Sequence, residues 1–62
     1  MAREEIRDRD HHLLGYLGDL GGGRELRDSN NRLIGRYNSD RDETRDANNR
    51  LVGPGDRLLM LL

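Results

Sequence analysis

One ten-residue string returns along this chain, and the return limits the fold more than any other feature. Leu26-Arg27-Asp28-Ser29-Asn30-Asn31-Arg32-Leu33-Ile34-Gly35 comes back 18 residues later (26 to 44) as Thr44-Arg45-Asp46-Ala47-Asn48-Asn49-Arg50-Leu51-Val52-Gly53. It is foreshadowed 20 residues earlier (26 to 6) by Ile6-Arg7-Asp8-Arg9-Asp10-His11-His12-Leu13-Leu14-Gly15. A fixed period of this length marks one supersecondary unit repeated, each copy too small to bury its own apolar side. Three copies of about 18–20 residues make 1–62 a single repeat domain, with units at about 5–20, 24–38 and 43–53 and an apolar tail at 56–62.

Each unit reads as a β-hairpin. Asp favours the first position of a type I turn, and Asn tolerates the left-handed backbone needed three residues later, which together close a three-residue loop with a bulge. The turn residues are therefore Asp8, Asp28, Asn31, Asp46 and Asn49. This register sets Asp28 against Arg32, Arg27 against Leu33 and Leu26 against Ile34, with Ile6 against Leu14 and Thr44 against Val52 in the other copies. Opposite charges meet beside the turn, and apolar or Thr side chains meet beyond it. Gly15, Gly35 and Gly53 recur at one repeat position, which suggests a bend or a close backbone approach. Helix fails as a general alternative, because Asn-Asn, Gly and Ser interrupt every amphipathic stretch except a possible short turn at 1–5. Gly21-Gly22-Gly23 reads as a loose loop between the first two units, and Pro54 should end the last strand.

The tail differs from everything before it. Leu58, Leu59, Met60, Leu61 and Leu62 are consecutive and apolar, and as a strand they would face both sides and need burial on both. The expected architecture is all-β: tandem hairpins in a rosette or stacked sheet around a C-terminal apolar strand, in one subunit or several. Self-association is expected on size alone. A chain of 62 residues with no Cys has no disulfide to offset a small core, and small lone domains then rely on metals or oligomers.

The strings IRDRDHHLLGYLGD, LRDSNNRLIGRYNSD and TRDANNRLVG resemble the repeats of the bacterial β-flower families, above all the five-fold type, in which units similar to I-R-D-S-N-G-R-x-I-G-Y follow one another. The likeness covers roughly residues 6 to 62. It implies a rosette of β-hairpins about an axis, a short hydrophobic C-terminal tail and no established activity. This chain has Asn31, Asn49 and His11 or His12 where the turn Gly of such repeats sits, and it carries three evident copies instead of four or five.

Composition excludes several function classes. The net charge is −1, from 11 basic and 12 acidic residues, so no basic field exists to neutralise a phosphate backbone and nucleic acid is not an expected partner. The apolar tail is far too short to span a bilayer, and no charged segment followed by an apolar one opens the chain as a leader would. Ser29 and Ser39 have no repeated His companion and there is no Cys, so no nucleophilic constellation is expected, nor any cofactor. His11 and His12 with Asp8 and Asp10 offer zinc-type donors, yet they occupy the turn positions filled by Asn30, Asn31 and Arg32 in the next copy, and no metal is assigned. Asn38, Asp40 and Asp42 imitate the start of a calcium loop but lack its Gly and distal Glu. Arg7, Arg27 and Arg45 are expected to form ladders with Asp8, Asp28 and Asp46 of neighbouring hairpins. The function expected is structural and non-catalytic, a homo-oligomer or filament. The alternative is a binding module that presents the repeated turns to a protein, glycan or anion.

Overall fold

The computed structural model describes residues 3–62. The chain runs as β1 (Arg3–Arg7), β2 (Leu13–Leu20), β3 (Gly23–Asp28), β4 (Leu33–Asn38), β5 (Glu43–Asp46) and β6 (Leu51–Pro54), followed by a 3-10 helix, η1 (Leu58–Leu61). All six strands form one antiparallel sheet in chain order, so the fold is an all-β meander. The sheet is open. Its hairpins do not surround the tail, as a closed rosette would require; the tail lies on one face, against β3 and β4.

Each turn closes as its residue types require. Asn31 N–H donates to Asp28 O (3.0 Å), and Asp28 N–H donates to Arg32 O (2.9 Å). His11, Asn31 and Asn49 all lie in the left-handed region, with φ of 66°, 68° and 65°. Beyond the turn the register departs from the simple pairing. Arg27 does face Leu33, but Leu26 faces Gly35, because Ile34 is accommodated as an extra residue. The same slip sets Ile6 against Gly15 and Thr44 against Gly53, in place of Leu14 and Val52. A bulge of this kind bends the strand and strengthens its twist. It also puts the recurring glycine, and not the aliphatic before it, opposite the first residue of each repeat.

Two further expectations are corrected. Residues 3–5 are strand, not a helical turn, because they pair with Tyr16 to Gly18; residues 1–2 of that proposed turn lie outside the described residues. Gly21-Gly22 is a tight two-residue connection, since β2 ends at Leu20 and β3 begins at Gly23 with the two paired. A Cβ at Gly23 would strike the Tyr37 carbonyl, which explains why the strand starts with glycine.

Alternation divides the sheet into two unlike faces. One carries Ile6, Leu17, Leu26, Gly35, Tyr37 and Thr44 and is covered in part by η1. Leu17, Leu26 and Leu58 are its buried core, with Ile6, Ile34, Tyr37 and Leu61 packed around them. The other face carries Glu5, Arg7, Tyr16, Glu25, Arg27, Arg36, Glu43 and Arg45 and, among the described residues, has no covering element.

The tail is helical, not extended. A short apolar run does not by itself distinguish a strand from a buried helical turn, and here Pro54 followed by Gly55 at φ 74° turns the chain out of the sheet. Helical spacing brings only Leu58 and Leu61 onto the sheet. Leu59, Met60 and Leu62 stay 56%, 70% and 46% exposed, so burial on both sides does not occur within the chain.

Candidate functional site

The repeated turns are built around one carboxylate each. Asp28 Oδ1 accepts N–H bonds from Asn30 and Arg32, both at 2.8 Å. Asp46 Oδ1 accepts the equivalent bonds from Asn48 and Arg50, both at 2.9 Å. Asp8 Oδ1 does so from Asp10 (2.8 Å) and His12 (2.9 Å). The carboxylate satisfies donors that the sheet cannot reach, which is why Asp holds this place in all three copies. The Asp–Arg pairing expected across the turn is not formed among the described residues at Asp28 and Arg32 or at Asp46 and Arg50; in the first hairpin His12 Nδ1 lies 3.3 Å from Asp8 Oδ2.

The arginines that precede these aspartates do not form ladders with them. Arg7, Arg27 and Arg45 fold back along their own strands onto Glu5, Glu25 and Glu43, at 3.3, 3.1 and 3.1 Å. Each also donates to the carbonyl of its left-handed turn residue: His11 (2.9 Å), Asn31 (3.1 Å) and Asn49 (2.9 Å). The recurring element is thus Glu-x-Arg-Asp, one residue longer at its start than the string read from the sequence. The glutamate was visible at the same offset in all three copies. It lay just outside the aligned block, two residues from its partner on one strand face.

A wide concavity of about 820 Å³ opens beside β4 and β5. Its lining includes Arg36, Arg41 and Arg45 together with Asp40, Glu43 and Asp46, so the two signs balance and no anion field arises. Asp8, Asp10 and His12 bring one donor atom each within 4.8 Å of one another. The same backbone geometry is made by Asp28, Asn30 and Arg32 in the second hairpin, so the convergence follows from the turn.

The recurring glycines have three different neighbours. A Cβ at Gly15 would strike the Arg27 carbonyl; at Gly35 it would meet Leu61, the Arg45 carbonyl and Leu58; at Gly53 it would meet the Arg57 side chain. Gly35 is therefore the floor on which the tail rests.

Thr44 was read from the sequence as a stand-in for an apolar residue, and its part is larger. Its side chain is fully buried, its hydroxyl donates to Gly55 O (2.7 Å), and it accepts Arg57 N–H (2.9 Å). Thr44 thereby fastens the chain at the point where it leaves the sheet for η1. Asp56 assists: it takes Arg24 Nη1 at 3.0 Å and Leu58 N–H at 3.2 Å. In the β4–β5 turn, Asp42 at φ 51° accepts the Tyr37 hydroxyl at 2.7 Å. That bond to a carboxylate, followed by partial desolvation and the charges of Asp42 and Asp56, raises the phenol above its usual 10.0.

Comparison with known protein families, with curated proteins and with solved structures gives no match. Among the described residues no helix is long and apolar enough to cross a membrane.

Proposed function

We propose that this chain is a non-catalytic, self-associating structural protein whose hairpins extend a sheet from copy to copy. One observation carries the reading: among the described residues the buried hydrophobic core is Leu17, Leu26 and Leu58, beneath a sheet whose edge strand β1 is paired on one side alone, with β2. Three buried leucines contribute on the order of 1.5–3 kcal/mol each, which is small against the conformational entropy of ordering a chain this short. Association would add buried surface without lengthening the chain. The polar inventory fits the same reading, since the repeated Asp, Glu and Arg side chains are occupied in closing turns and pairing along strands. The β-flower likeness agrees with it, as a family of assembled hairpins without known chemistry.

Sedimentation equilibrium tests the proposal. The expected result is a mass above the 7.1 kDa of one chain, falling toward it on dilution. A single 7.1 kDa species at every concentration would refute it.

A further inference from the structure

The two edges of the sheet differ in a way that limits how copies can join. Antiparallel backbone groups alternate sides, so each residue bonds either inward or outward. On β6, Gly55 N–H bonds inward to Asp42 O at 2.7 Å, and the residue before it, Pro54, therefore faces outward. Pro54 has no N–H, and its carbonyl already accepts Arg57 Nε at 2.7 Å. The β6 edge thus offers neither donor nor acceptor at that position, the usual means of stopping a sheet from growing. On β1, Asp8 N–H bonds inward to His12 O at 3.0 Å, so Arg7, Glu5 and Arg3 face outward. That edge retains its backbone groups at three alternate positions.

From this asymmetry we infer that copies of the chain join β1 to β1 in a closed two-fold dimer, not in rings or filaments. The inference rests on the self-association proposed above and names its interface. Backbone pairing across a two-fold axis that engages at least two of Arg3, Glu5 and Arg7 leaves three registers. One sets Glu5 against the second copy's Glu5 and Arg3 against its Arg7, so like charges oppose at every hydrogen-bonded position. Another sets Arg3 against Glu5 but Glu4 against Glu4. The third sets Glu5 against Arg7 twice and Ile6 against Ile6; its like-charged neighbours lie at the strand ends, Glu4 beside Asp8, whose carboxylate is already held by its own turn, and Arg3 beside Arg9, which sits in the turn beyond the strand. Opposite charges and apolar side chains directly across strands stabilise pairing, and like charges oppose it. The third register is therefore the one selected. It also continues the core, because Ile6 already packs against the leucine cluster. A two-fold contact uses the same surface on both copies and closes on itself.

Light scattering on size-separated protein provides the test, with folding checked by circular dichroism. The wild type should have about twice the mass of one 7.1 kDa chain. Glu5→Pro removes an outward N–H without touching an internal backbone bond, at the cost of the exposed Arg7 pair, and should give a folded monomer. Glu5→Arg should weaken the dimer at least tenfold, and adding Arg7→Glu should restore it. Pro54→Val combined with Arg57→Ala should open the second edge and produce larger species. A wild type that is monomeric at every concentration would defeat both the association and its interface. A dimer that survives Glu5→Pro, or that dissolves with Leu59→Asp instead, would leave association standing and overturn the β1 interface alone.

Discussion

The two faces of the sheet are made by the same strands and held by different physics. Under η1, side chains of Leu17, Leu26 and Thr44 are buried, and the tail supplies Leu58, the third member of their core. On the opposite face, Glu5–Arg7, Glu25–Arg27 and Glu43–Arg45 repeat one local ion pair along three strands. The comparison teaches that the repeat and the stability reside in different residues. The charged face is nearly periodic. The buried face is not, because its first repeat position is filled by Ile6, Leu26 and then Thr44, and only the last is fastened to the tail.

Substitutions should separate the faces by size of effect. Leu58→Ala empties the centre of the buried face and should cost about 2–5 kcal/mol in chemical denaturation, enough to unfold so small a chain at room temperature. A cost below about 1 kcal/mol would mean that η1 does not seal the core. Thr44→Val keeps the shape but strands Gly55 O and Arg57 N–H, and should cost about 1–3 kcal/mol by the same measurement. On the charged face, Glu25→Gln breaks a partly exposed pair and should change stability by no more than about 1 kcal/mol. An equal loss at Glu25 and Leu58 would erase the distinction between the faces.

Between these extremes lies the turn. Asn31→Gly relieves a left-handed Asn and should raise stability by about 0.4–1 kcal/mol in the same denaturation experiment. The smallest effect concerns Tyr37. Its phenol titrates above 10.0, so the Asp42 bond stabilises the fold fully below that value and is lost as pH rises through the higher folded value. In a Tyr16→Phe background, phenolate absorbance should show a midpoint above 10.0 that Asp42→Asn lowers. An unmoved midpoint would detach Tyr37 from Asp42.

Much of the local structure is legible in the sequence, for reasons tied to particular residues. Asp28 and Asn31 announce their turn because few residue types can accept two backbone N–H bonds or sit at φ 68°. The slip at Ile34 was not legible, since either register places an aliphatic on one face and only the bulge decides which residue opposes Leu26. The tail is legible as apolar, but its helical geometry is not. A run of leucines has no alternation to read, and it was the turn at Gly55 that made helical spacing the way to bring Leu58 and Leu61 onto Gly35. The hydrogen bonds of Thr44 are not legible in the sequence, because its partners are backbone atoms 11 and 13 residues away, which no local pattern encodes.

The account depends on the chain being completed by other copies of itself. Association linked to folding makes thermal stability depend on protein concentration. The melting temperature should therefore rise steadily as the protein is concentrated, and one that stays constant over the whole range would contradict the account.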